Sequence, residues 1–131
     1  MRKDGDIELP REMPIEIGQR THEFALRSIN LYRHLDKKER AARRLADQFL
    51  RSATSIGANI QEAKAGESRR DFVHKYGIAL KEARETLYWV KLFDAAEFVE
   101  SERLDEFIKE ADEIVAVLTT IVRRIRENGL N

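Results

Sequence analysis

Residues 101–126 read SERLDEFIKEADEIVAVLTTIVRRIR, and within them Leu104, Phe107, Ala111, Ile114, Leu118, Ile121 and Ile125 recur at strictly alternating spacings of three and four. That alternation holds side chains on one face of an α-helix and does not fit the two-residue period of a strand. Ile108, Val115 and Val122 flank the stripe and widen it. Ser101 is the expected N-cap. Arg123, Arg124 and Arg126 fall in the last turn, where cations suit the negative end of the helix dipole, and Asn128 and Gly129 stop the helix.

The same pattern extends toward the N-terminus. Ser68 and Asp71 have the S-x-x-D spacing of a capping box and open a third helix, on which Val73, Tyr76, Leu80, Ala83, Leu87 and Val90 form one seam. Phe72, Ala79, Thr86 and Phe93 form a second seam beside it, so this helix is expected to touch neighbours on two sides. Before it, Leu45, Phe49, Ala53, Ile56, Ile60 and Ala63 mark the apolar face of a second helix. Asp36, with Glu39 three residues on, is read as its N-cap, and Gly66 as a left-handed C-terminal stop. Gly57, inside that helix, costs roughly 1 kcal/mol against Ala, and close approach of another helix is the expected compensation. A first helix runs from Ile17 to about Leu35 through Thr21, Phe24, Ser28 and Leu31. No strand pattern occurs. The expected fold is all-α: an antiparallel up-down four-helix bundle of helices about 30 to 45 Å long joined by short loops. Residues 1–14, with Gly5, Pro10 and Pro14, read as a flexible leader, and residues 15–131 as the bundle domain.

With 131 residues the chain holds one domain. Charged residues at 37% and only two prolines exclude collagen-like and membrane-spanning classes, and 42% hydrophobic residues exclude a disordered chain. Cysteine is absent, so there is no disulfide framework, thiol nucleophile or Cys-based zinc site, and the N-terminal segment lacks an apolar signal core. A cytoplasmic location without a membrane partner is the default expectation. The wide apolar faces of helices 3 and 4 predict surface that one subunit does not bury, and self-association is the natural outlet.

The residues point to no catalytic chemistry. His22, His34 and His74 are scattered, and Asp71 to His74 is the single D/E-x-x-H spacing, against the two converging motifs of bundle di-iron sites. There is no Gly-rich phosphate loop, nucleophile elbow or zinc spacing. Glu82 and Glu85, with Lys81 and Arg84, read as a solvated charge face, and Glu110 as an exposed position. No enzyme activity, cofactor or metal is expected.

Two features of helix 2 do suggest binding. Arg51, Ser55, Asn59 and Glu62 form one polar stripe beside its apolar face. Arg51 and Glu62 lie about 16 Å apart along the axis, too far to pair with each other, so the stripe bonds to other helices or to a neighbouring subunit, or lines a ligand pocket. The second feature is charge. Lysine plus arginine equals aspartate plus glutamate at 24 each, yet residues 36–66 carry seven cations against four anions and residues 101–131 five against seven. Lys37, Lys38, Arg40, Arg43, Arg44 and Arg51 form a cluster that, repeated around an oligomer, is suited to hold RNA or DNA phosphates. The competing reading is a solvated basic face meeting the acidic helix 4.

The segment from Gln48 and Arg51 through SIGANIQEA (55–63), then SRRDF (68–72) and IALKEARETLYWVKLF (78–93), resembles the bacterial four-helix-bundle family known from 23S rRNA intervening sequences. The likeness covers roughly residues 15–127. Where many relatives have Glu-Gly after the Asn-Ile pair, this chain has Glu62 and Ala63. The resemblance implies an up-down bundle assembling into a ring, often a homopentamer, with no established enzymatic activity. A protein of similar shape is the accessory subunit of diversity-generating retroelements, a basic pentameric barrel that binds reverse transcriptase and nucleic acid; the analogy is one of shape alone. Two classes of function follow as expectations: a non-catalytic scaffold binding nucleic acid or a nucleic-acid enzyme such as a reverse transcriptase, and a structural protein that assembles only with itself.

Overall fold

A computed structural model describes residues 16–66 and 68–128. They form four α-helices, α1 Ile17–Leu35, α2 Arg40–Ala65, α3 Arg69–Ala95 and α4 Ser101–Glu127, and no strand occurs among the described residues. The leader assigned to residues 1–14 lies outside them, as does Gly129.

Each predicted apolar stripe becomes a buried face. On α4 Leu104, Phe107, Ala111, Ile114, Leu118, Ile121 and Ile125 are all buried with Val122, while Ile108 and Val115 are half-buried at the rim. On α3 the buried line runs between the two predicted seams, through Tyr76, Ala79, Leu80, Ala83, Thr86, Val90 and Phe93. Val73, Leu87 and Phe72 sit at its edges. The helix packs against both α2 and α4, which is why one narrow stripe does not describe it. On α2 Ala42 and Ala46 take the buried places beside Phe49, and Leu45 is only half-buried.

A cluster of phenylalanines, one from each helix, ties the four together. The ring centroids of Phe24 and Phe107 are 4.7 Å apart, those of Phe49 and Phe107 5.9 Å, and those of Phe49 and Phe93 5.6 Å. Such tilted and edge-on contacts add to the area they bury. Between α2 and α3 the buried hydroxyls of Ser52 and Thr86 meet at 2.9 Å, each also within hydrogen-bond distance of a carbonyl of its own helix, Phe49 O and Glu82 O. Small hydroxyl side chains there let two helices approach without leaving a polar atom unpaired.

The helix ends depart from the expectations at three places. Asp36 is the C-cap of α1, its N–H donating to Tyr32 O, and α2 starts only after Glu39, whose side chain makes no cap bond. Four residues, 36–39, intervene because the apolar face of α1 ends at Leu35 and the chain has to turn before Ala42 faces the core. Gly66 does cap α2, but with φ −67° and ψ 156° it is extended and not left-handed. Its lack of a side chain matters for space: a Cβ there would collide with the Asp71 carboxylate. The N-cap of α4 is Glu100, and Ser101, one residue on, donates instead to Asp94 Oδ1 at 2.7 Å across the α3–α4 connection. The Ser68–Asp71 cap is as expected, Ser68 Oγ accepting from the Asp71 N–H at 3.0 Å.

Candidate nucleic-acid interface

Lys37 and Lys38 lie in the turn between α1 and α2, and Arg40, Arg43 and Arg44 occupy the first turns of α2; all five are exposed. A basic residue at a helix N-terminus faces the positive end of the dipole, so this placement does not stabilise the helix. None of the five forms an ion pair with a described residue. Arg43 Nη1 donates to Lys38 O at 3.5 Å, a long contact that holds no charge in check. His34, half-buried at the end of α1, stands beside them. Burial, then the charges of Lys38, Arg103 and Lys37, push its pKa below 6.5 against the opposing pull of Glu100. Arg103, from the start of α4, therefore shares this end of the molecule with the basic turn.

Arg51 does not join that surface. Its Nη2 donates to Glu85 Oε2 at 2.6 Å and its Nη1 to Glu82 Oε2 at 3.3 Å, both on α3, and these bonds raise its pKa. The carboxylates that read as a solvated face are thus interhelical: the Glu82 side chain is only 16% exposed and its Oε1 is buried without a partner. Trp89 Nε1 donates to Glu85 Oε2 at 3.0 Å.

The rest of the polar stripe divides in two. Glu62 accepts from Lys75 Nζ at 2.7 Å, again joining α2 to α3. Ser55 Oγ donates to Arg51 O at 2.7 Å and Asn59 Nδ2 to Ser55 O at 2.8 Å, so both half-buried side chains bond to their own helix. None of these four residues lines the open hollow between α3 and α4.

Among the described residues the carboxylates of acidic α4 pair across helices with α1 and not with basic α2. Arg20 forks onto Glu110 at 2.8 and 2.9 Å and reaches Glu113 at 2.5 Å. The Glu110 bonds raise its pKa and outweigh the opposing burial, with Glu113 adding to them. Glu110, read as exposed from sequence, has a side chain 21% exposed and anchors this pair. The signal that could have found it is weak: Arg20 lies one residue before Thr21 on the edge of the α1 stripe, and nothing local names its partner. Among the described residues no group of three or more His, Cys, Asp or Glu is placed to hold a metal, and no helix is long and apolar enough to cross a membrane.

The fold and this surface together define a class, a four-helix bundle with a concentrated, unpaired basic turn at one end. The chain belongs to the 23S rRNA-intervening sequence protein family, whose sequence profile matches residues 13–120. It is similar to a crystal structure from Bacteroides thetaiotaomicron VPI-5482, described as a protein of unknown function from the S23 ribosomal protein family. Identity is 40% and the TM-score 0.75, over 82% of this chain and 98% of that one. No curated protein matches the chain.

Proposed function

We propose that this protein is a non-enzymatic, up-down four-helix bundle that assembles into a ring of identical subunits, a pentamer in the first instance, and serves as an interaction scaffold for RNA or DNA. The observation that carries the reading is the state of Lys37, Lys38, Arg40, Arg43 and Arg44: five exposed cations within eight residues, none in an ion pair with a described residue. Of the other cations, Arg20, Arg51, Lys64 and Lys75 are each matched to a carboxylate on another helix or, for Lys64, at Glu16, while Arg70, Lys81 and Arg126 on the far pair of helices are not matched to one among the described residues. Charge left open at one end of a neutral chain is suited to a polyanion that releases counterions on binding. The up-down course is supported by cross-helix pairs whose residue numbers run in opposite senses, Glu16 with Lys64 and Tyr32 with Asp47, then Ser52 with Thr86 and Glu62 with Lys75. Self-association is supported by the large apolar side chains of Leu26 and Tyr88, 52% and 59% exposed. A nucleic-acid enzyme such as a reverse transcriptase, itself bound to nucleic acid, is the protein partner that fits this surface.

Binding through these residues is indifferent to base sequence, because the basic turn has charge and no aromatic platform. Filter retention of RNA or DNA at rising salt tests it. Retention is expected to fall with a log–log slope near −0.7 to −0.9 per phosphate neutralised, and Arg40→Gln, Arg43→Gln and Arg44→Gln together to flatten that slope. Equal retention by the triple variant, or none at low salt, leaves self-assembly alone as the reading.

A further inference from the structure

A second basic site lies on the opposite pair of helices. Arg70, His74, Gly77 and Lys81 follow one another on one face of α3 at spacings of four, three and four, and with Val73, Ile78 and Arg126 of α4 they line an open hollow of about 430 Å³. No carboxylate lines it. Arg70, Lys81 and Arg126 form no ion pair with a described residue, and the neighbouring Glu127 stands against Arg123. Glu85, one turn beyond Lys81, feels its charge, but the Glu85 carboxylate is held by Arg51 and Trp89. Three basic side chains around one concavity are suited to hold an anion.

The floor of the hollow is as telling as its charge. Gly77 sits in the middle of α3, where glycine costs about 1 kcal/mol against alanine. Packing does not require it: a Cβ there would meet nothing nearer than Arg126 Nη2 at 3.7 Å. The missing side chain instead leaves room directly beneath the Arg126 guanidinium. Two guanidinium forks suit a phosphate bidentately, a lysine adds a point charge, the His74 ring N–H is a further donor, and Val73 and Ile78 offer an apolar wall to a sugar or base.

We propose that this hollow binds a terminal phosphate group, carried either by a mononucleotide or by the 5′ end of an RNA strand. The site is separate from the basic turn of α2 and stands without it. The test uses the full chain. Calorimetry compares AMP with adenosine, and fluorescence anisotropy compares a 5′-phosphorylated with a 5′-hydroxyl eight-nucleotide RNA. Binding is expected to depend on the phosphate in at least one comparison, which also identifies the source. Arg70→Gln and Arg126→Gln, surface changes that leave the core intact, are each expected to weaken it about tenfold or more. The Arg40, Arg43 and Arg44 triple change is expected to leave AMP binding unaltered while lowering filter retention. AMP bound no better than adenosine together with no preference for the phosphorylated RNA overturns the proposal; so does wild-type affinity in both single variants.

Discussion

Gly57 and Gly77 both interrupt long helices, and their surroundings separate them. At Gly57 a Cβ would stand 3.3 Å from Thr21 Oγ1 and 3.6 Å from the Thr21 backbone, and that hydroxyl is pinned by contacts with Ile17 O at 2.9 Å and Gly18 O at 3.2 Å. At Gly77 the space is open. Gly77→Ala is expected to raise stability by about 1 kcal/mol from helix propensity, and Gly57→Ala to gain nothing because α1 has to move; urea unfolding of both variants checks it. Equal gains would show that α1 yields freely. The close approach at Gly57 was expected from sequence because a mid-helix glycine needs a reason, whereas no local signal distinguishes it from Gly77. His34 carries the second prediction at this scale. Its pKa in the folded chain lies below 6.5, so as the pH falls through 6.5 the unfolded chain takes up a proton that the folded chain does not yet bind. Stability present above that value is expected to be lost as the pH drops toward the folded pKa, and His34→Gln to flatten the decline between pH 7 and 5 in denaturation curves.

At the scale of the element, α3 ends by a device that composition does not announce. Phe98 N–H donates to Phe93 O at 3.0 Å and Glu97 N–H to Asp94 O at 3.1 Å, the paired bonds of a Schellman motif, with the Phe93 and Phe98 rings 6.1 Å apart sealing it. The left-handed position falls on Glu97, at φ 61°, a conformation that costs an L-residue roughly 1–2 kcal/mol. Glu97→Gly is expected to stabilise the protein by about 1 kcal/mol, since the relief outweighs the extra freedom glycine has when unfolded. Unchanged thermal unfolding would mean that the strain is relieved elsewhere. Here the usual glycine signal was missing, so this helix end was not legible, while the Ser68–Asp71 start was, because its partners are three residues apart and meet in any helix. The Asp36 start misled for the converse reason: an acidic residue three before another acidic one fits a capping box, but the side chain that decides is set by where the core face resumes.

For the whole molecule the question is what covers the half-buried and exposed apolar rim, Ile108 and Val115 on α4, Tyr88 on α3 and Leu26 on α1. Ile108 and Val115 pack at the edge of the core and Leu26 and Tyr88 stand outside it, so in the proposed ring their further burial would favour association more than folding. Light scattering coupled to size exclusion is expected to give a multiple of the 15.3 kDa chain mass, five-fold for the proposed ring. A mass near 15.3 kDa at micromolar concentration would remove the ring and with it the repetition of the basic turn.

The number of helices, their faces and most of their core residues were determined by the sequence itself, because a three-and-four period is a local property that every turn of a helix repeats. The exposure of Arg40, Arg43 and Arg44 was legible for the same reason, since they lie off the apolar face of α2, and Lys37 and Lys38 are exposed in the turn before it. Tertiary structure alone decided which charges meet. Arg51 reads like its basic neighbours but is taken by Glu82 and Glu85, Arg20 finds Glu110 ninety residues away, and Arg70, Lys81 and Arg126 converge without a carboxylate. The pairing of charges across helices depends on which helices are adjacent and in what register. That is set by how apolar surfaces fit one another over the whole bundle and leaves no mark in any short stretch of chain.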